Sequence, residues 1–383
     1  MNKDYCMNTA FYQENNVSNA NAQQTVPVRR CGRSGLCLSA VGLGLAGLGV
    51  AGREIDAEDE RAAFVLLDRA AELGVTHWDT ASGYTGGNSE RLVGRWFAAR
   101  GHDARDRVIL STKWHSPLGG GRGMIRKAVD GCLRRLQTDY IDLFMLHNPM
   151  VEGGRYIAPL AETWGTLNDL VTQGKVHYLG ISNAHGINVR DAQAALEQTQ
   201  PGASKRLVAV ENHYNMLRPY VAGWGLWTDW ARGSVHREFL DLLAGQGMGL
   251  VPFWPLADGA LTGRYRNANR DQWLAQLRPM FAKEYFEGPN ADVIESLAQF
   301  ADAKNITLGQ LGIAWLLAQN VVPSVIVGTT NIKHLETNAA AAATLTLSPD
   351  DLQQIDTLAA QAEPLEDTCF RLFGDRPVTP RSK

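Results

Sequence analysis

Apolar positions recur at two periods along the chain. At helical spacing come Ala63, Leu66, Leu67 and Ala70, then Ile125, Val129, Cys132, Leu133 and Leu136, then Leu160, Trp164, Leu167 and Val171. Between such segments lie short runs that read as buried strands: LSAVGLG (38–44), VTHWD (75–79), RVILST (107–112), YIDLFML (140–146), VHYLGIS (176–182), RLVAVE (206–211), GLVPFW (249–254) and SVIVG (324–328). The runs are apolar without clean alternation, as parallel strands covered on both faces are. Eight β-α units in unbroken succession predict an α/β fold, a closed (β/α)8 TIM barrel. A doubly wound open sheet fits the local pattern but has less reason to stop at eight.

Several segments exceed what such a barrel needs. Val26 to Val41 reads as an N-terminal β-hairpin with its turn at Gly32 to Gly35. Helix patterns at Ala291–Ala303 and Pro349–Ala360 are expected outside the barrel. Leu217–Ser234, with Tyr220, Trp224, Trp227 and Trp230, and Arg264–Asn290, with Trp273, Phe281, Tyr285 and Phe286, follow strands and so belong on the mouth that carries chemistry. The expected organisation is a disordered polar tail over 1–25, one barrel domain over 26–363 and a C-terminal tail over 364–383. GLGLAG, Gly42 to Gly47, matches G-x-G-x-x-G, but the next helical pattern starts only near Ala57. A dinucleotide fingerprint opens its helix directly, so this match argues against that fold.

Totals narrow the classes. The 383 residues are 45% hydrophobic and 20% charged, enough for a large core in a soluble protein. A net charge of −3 gives nucleic-acid binding no electrostatic support. No apolar run approaches the ~20 residues of a bilayer span. The N-terminus is polar and Asn/Gln-rich without a secretory h-region, so the expected location is the cytoplasm. Cys6, Cys31, Cys37, Cys132 and Cys369 form no CxxC and are odd in number, which favours reduced packing residues over disulfides or zinc.

The strand ends carry the chemistry. Strand two closes on Asp79, with Tyr84 five residues on in a Gly/Ser/Thr/Asn loop. Asn88 or Ser89 is the expected cap of the helix that follows from Glu90. The next strands end at Lys113, His147, Ser182 with Asn183, Glu211, and Phe253 with Trp254. In a parallel barrel these positions face one mouth. Alone, each has a bland reading as a cap or a solvated loop residue. Ionisable groups converging on one rim need partners, which makes the bland reading hard to hold for the set. A phenol with a Lys ammonium beside it, the ammonium held by Asp79, is a tuned proton donor. His147 can orient a carbonyl oxygen or share the proton. Protonating a developing alkoxide is what carbonyl reduction by hydride requires.

WDTASGYTGGNSE, STKWH, LFMLHNP, YLGISN, ENHYNML, PFWPLADGALTGRY and VIVGTTNIKHLETN, in this order, closely resemble the aldo-keto reductase family. The resemblance runs from about Arg29 to Ala360. It implies a (β/α)8 barrel closed at the bottom by the hairpin. It implies a tetrad of Asp79, Tyr84, Lys113 and His147, with Tyr84 as general acid, Lys113 and Asp79 tuning it and His147 positioning the carbonyl. It further implies an extended nicotinamide cofactor along Gly44, Ser182, Asn183, Glu211, Phe253, Trp254, Pro255 and Leu256. Ser182 and Asn183 are implied to hold the carboxamide, and Phe253 stands where the family usually has a stacking Tyr; a phenyl face stacks equally well. Glu211 replaces the usual Gln beside the carboxamide and, unless protonated, only accepts hydrogen bonds. Trp254 replaces a small residue, so the pyrophosphate path is expected to differ.

The adenosine end is implied along Gly328, Thr329, Thr330, Lys333, His334 and Asn338. The family's frequent Arg near Thr330 is missing, which leaves Lys333 and Arg264 to meet a 2′-phosphate. NADP(H) is favoured over NAD(H) on family grounds. Trp114, Tyr220, Trp224, Trp227 and Trp230 are the expected substrate contacts, although a lid or a subunit contact would use Trp equally. SPLGGGRG, Ser116 to Gly123, reads as a flexible loop before a cradle for an anion. The expected activity is interconversion of an aldehyde, ketone or sugar carbonyl with its alcohol. The competing class is a non-catalytic nicotinamide-nucleotide-binding regulatory subunit of a protein partner.

Overall fold

The computed structural model describes residues 25–114, 120–149, 151–152, 155–199, 207–222, 235–266, 286 and 289–362. The hairpin comes first, as β1 (Val28–Arg30) and β2 (Cys37–Ser39), paired antiparallel with Val28 opposite Ser39. The barrel strands follow as β3 (Val41–Gly44), β4 (His77–Asp79), β5 (Ile109–Trp114) and β6 (Ile141–Leu146). A small hairpin, β7 (Val151–Glu152) and β8 (Arg155–Tyr156), interrupts the alternation. Then come β9 (Val176–Ser182), β10 (Leu207–Asn215), β11 (Arg218–Ala222), β12 (Gly249–Phe253) and β13 (Val325–Gly328).

Parallel ladders run from β13 through β3, β4, β5, β6, β9 and β10 to β12. β12 and β13 lie side by side without a hydrogen-bonded ladder among the described residues, so eight parallel strands form a nearly closed barrel. All eight expected strands are present. Several boundaries differ, and the strand expected to end at Glu211 runs on to Asn215, which puts Glu211 in mid-strand. The run 38–44 is split at Ala40, its first part belonging to the hairpin. The strand expected over 107–112 continues to Trp114, which draws Lys113 into the ladder opposite Met145.

Two apolar shells follow from the pleat, which turns successive residues to opposite faces. Inside the barrel, Leu143, Met145, Ala209, Val251 and Ile326 pack on Cys31, Leu36 and Leu38 of the hairpin. The hairpin therefore plugs the bottom. Gly32 makes its turn at φ 56°, where a Cβ would meet the carbonyl oxygen of Gly247 at 2.1 Å. Outside, Phe144, Leu146, Leu179 and Ile181 pack with Leu66, Leu67, Val129, Leu133, Trp164 and Leu167 from the surrounding helices. Those helices span Ala57–Glu72, Asn88–Arg100, Arg122–Leu136 and Leu160–Thr172 in the first half of the chain. The added helices form at Pro289–Ala303 and Pro349–Ala359 and contact each other.

Asn88 does not cap its helix, and neither does Ser89. The Thr85 hydroxyl accepts from the Ser89 amide at 3.0 Å, while the Asn88 amide donates to the carbonyls of Val50 and Arg53. Among the described residues no helix is long and apolar enough to cross a membrane, and no group of three or more His, Cys, Asp or Glu is arranged to hold a metal ion. Cys31, Cys37 and Cys132 form no disulfide among the described residues.

Candidate active site

A cavity of about 820 Å³ opens at the carboxyl ends of the barrel strands. Asp79, Tyr84 and His147 line it, with Gly44, Ser182, Asn183, Glu211, Phe253, Trp254, Gly328, Thr329 and Thr330. Lys113 lies behind this wall, fully buried inside β5. Its ammonium sits 2.6 Å from each oxygen of Asp79 and 3.1 Å from the carbonyl of Thr80. Glu211 Oε1 stands 3.3 Å from the same nitrogen.

The loop that carries Tyr84 is stitched to β5. The amides of Thr80 and Ser82 donate to the carbonyls of Ser111 and Lys113, and Thr85 donates to the Leu48 carbonyl. Thr85 pays with a φ of 48°, unusual for a β-branched residue. Tyr84 is left half-buried, its ring edge-on to His147 with centroids 5.6 Å apart. Lys113 Nζ is 5.2 Å from the Tyr84 ring centroid.

Burial raises the Tyr84 pKa above that of a free phenol, and the Lys113 charge pulls it back only in part. The downward tuning expected from a neighbouring ammonium is thus present but outweighed, chiefly by the desolvation of the buried phenol, with the charges of Asp79 and Glu211 adding to it. For Lys113, burial opposes the charge, but Asp79 and Glu211 outweigh it and its pKa ends above the usual value. Glu211 is pushed up, first by burial and then by the charge of Asp79.

Four contributors went unnoticed in the sequence. Ser111 donates to Asp79 Oδ1 at 3.0 Å. His77 is held between Ser111 and Ser324, with ring nitrogens 3.0 and 2.9 Å from their hydroxyls. His213, two residues beyond Glu211, stacks on Phe253 at 5.8 Å with 20° between planes. The signal was available: on β4, β5 and β10, residues two apart share a face, so His77 follows from Asp79, Ser111 from Lys113 and His213 from Glu211.

Ser182 and Asn183 are fixed by Glu211, whose carbonyl accepts from the Ser182 hydroxyl at 2.9 Å and the Asn183 amide at 3.0 Å. The Asn183 side chain donates to the His147 carbonyl at 2.9 Å. Asn183 and Trp254 take φ values of 54° and 51°, left-handed backbone at the cavity wall. Pro255 and Leu256 do not line the cavity; Leu256 packs on the helix Leu308–Leu317 near Gly312. Asn338 is buried on the helix Ile332–Thr344. Arg264 meets His334 at 2.6 Å on the surface, with exposed Lys333 beside it in sequence. Trp114 packs against the outer core and is not part of the cavity wall. Leu217–Ser234 begins as β11, which folds back antiparallel on β10 past a bulge at His213 to Asn215. Tyr220 lies on that strand; Trp224, Trp227 and Trp230, most of 267–288 and Ser116–Gly119 lie outside the described residues.

A sequence model described as the Aldo/keto reductase family matches residues 40–360. The chain belongs to that family. Among its relatives, "L-glyceraldehyde 3-phosphate reductase" of Escherichia coli strain K12 is 32% identical over 349 residues, covering 88% of this chain and 93% of the relative. "Aldo-keto reductase yakc [NADP(+)]" of Schizosaccharomyces pombe is 29% identical, covering 83% and 87%. A solved aldo-keto reductase from Bacillus halodurans in its holo form superposes with a TM-score of 0.67 at 26% identity, covering 89% of this chain and 99% of that one. Aldo-keto reductases are nicotinamide-dependent oxidoreductases of small carbonyl compounds, so the strand-end cavity is the candidate active site.

Proposed function

We propose that this aldo-keto reductase uses NADP(H) to interconvert a small aldehyde, ketone or sugar carbonyl with its alcohol, with Tyr84 as the acid. The observation that carries the reading is a phenol on the cavity wall backed by a buried Lys113–Asp79 pair. Because burial keeps Tyr84 protonated, it holds a proton ready for an oxyanion that forms beside it. Lys113 steadies the phenolate left behind, and Asp79 keeps Lys113 in place and charged. His147, edge-on to Tyr84, directs the carbonyl oxygen toward the phenol.

The cavity fits an extended nicotinamide nucleotide. It runs from Tyr84 and His147 to Gly328, Thr329 and Thr330, beside the N-terminus of the helix Ile332–Thr344. Phe253 and Trp254 offer ring surface and Ser182 and Asn183 offer polar atoms on the cavity wall, while Arg264, paired with His334, and exposed Lys333, three residues past Thr330, are the charges available for a 2′-phosphate. When bound, the nicotinamide supplies or accepts the hydride. The relative named with NADP(+) supports the phosphorylated form.

The test is a spectrophotometric screen of aldehydes, ketones, sugars and sugar phosphates, including glyceraldehyde 3-phosphate, with NADPH and NADH. Turnover of at least one carbonyl with NADPH is expected. Tight cofactor binding with no turnover across the panel would favour a regulatory nucleotide-binding subunit instead.

A further inference from the structure

Glu211 is 2% exposed, yet it reaches the cavity wall. Its Oε1 faces Lys113, and its Oε2 is buried with no hydrogen-bond partner among the described residues. A buried carboxylate oxygen without a donor is costly unless a ligand completes it. The charges around it do not balance either. Asp79 from β4 and Lys113 from β5 cancel as a pair, so an ionised Glu211 leaves the cluster with one net negative charge. The other titratable groups nearby are Tyr84 and His147 on the cavity wall, His213 two residues along β10, and His77, which burial holds neutral beneath Asp79.

We propose that Glu211 is a selectivity residue for the redox state of the cofactor, its uncompensated carboxylate favouring the cationic oxidised nicotinamide over the neutral reduced one. The inference rests on the cofactor reading above. The oxidised ring carries a positive charge that the reduced ring lacks, so a carboxylate facing the ring's pocket attracts one and is indifferent to the other. Oε2 also accepts a hydrogen bond from a ligand amide, which Gln at this position would do without adding charge. The effect must follow the proton on Glu211. Burial and Asp79 push that carboxyl up to about 8, so the charge is present above this pH and absent below it.

The experiment is fluorescence titration of the full-length protein with NADP+ and NADPH across pH about 6 to about 9, the range that brackets the titration. In the wild-type protein, NADP+ affinity is expected to rise with pH relative to NADPH, by ~10- to 30-fold, the scale of one unit charge about 8–12 Å away at an effective dielectric near 20. Glu211→Gln is expected to abolish this pH dependence and leave the affinity ratio at its low-pH value. A ratio that does not move with pH in the wild-type protein overturns the proposal without any variant. The same pH dependence in Glu211→Gln overturns it too. Failure of both nucleotides to bind would overturn the cofactor reading itself, which separates the two failures.

Discussion

Glu211 Oε1 lies 3.3 Å from Lys113 Nζ, so the lysine that backs Tyr84 serves two carboxylates. Both acids reach it from inside the barrel, Asp79 at the end of β4 and Glu211 midway along β10. The lysine has no water to fall back on, being wholly buried. Its charge is therefore fixed by these partners.

Lys113→Met keeps most of the volume and removes the charge, leaving Asp79 and Glu211 in mutual repulsion. We expect activity to be lost and stability to fall by about 3–5 kcal/mol near neutral pH, the cost of orphaning a buried charge. Burial and Asp79 already hold the Glu211 carboxyl above its unfolded value, and losing the Lys113 charge pushes it further up. The folded state then binds more protons, so stability should recover as pH falls. Urea unfolding at several pH values checks this; a loss that does not shrink toward acid would contradict the shared-lysine picture.

Tyr84→Phe retains the ring and deletes the proton. Turnover should drop ~10²-fold or more, the scale of general acid catalysis. NADPH affinity should hold, since no donor or charge is withdrawn from the nucleotide. Near-normal turnover by the purified variant would remove Tyr84 from its role.

His77 carries a pH signature of its own. Burial lowers its pKa from 6.5 to about 4, and its ring is held by Ser111 and Ser324. In the folded protein it stays neutral where the unfolded chain protonates. Its stabilising effect is full above pH about 6.5 and drains away as pH falls toward about 4, by up to ~3 kcal/mol. His77→Gln should flatten this part of the stability profile. Unfolding midpoints measured from pH about 7 to about 4 decide the matter; equal slopes in both proteins would rule the effect out.

Arg264 and Lys333 supply the positive charge near the far end of the cavity. Arg264→Ala should weaken NADPH by about tenfold, the loss of one charge-assisted contact. NADH should be affected much less, and the difference should shrink as salt rises. An equal loss for both nucleotides would mean that no 2′-phosphate lies there.

The segment with Trp224, Trp227 and Trp230 follows β11 in sequence and lies outside the described residues. If it meets substrate, Trp→Ala changes should lower kcat/KM for bulky carbonyls and spare the smallest aldehydes. A uniform effect on all substrates, or a change in oligomer size alone, would make it a structural lid or a subunit contact.

Hydrophobic period and strand-end chemistry by themselves determined the barrel, its hairpin and the residues at its mouth. Parallel strands buried on both faces leave a run of apolar residues that no loop resembles, and short β-α units admit few topologies. Asp79, Tyr84 and His147 were legible for the same reason, since polarity just past a buried run has to face the rim. Tertiary structure decided what one strand says to another. Whether Ser111 meets Asp79, whether Glu211 reaches Lys113 and whether Trp114 turns outward all depend on register and strand length, which couple residues far apart in the chain. It also decided the net direction of the Tyr84 shift. A sequence shows that an ammonium is near a phenol, but only depth of burial says whether desolvation outweighs it.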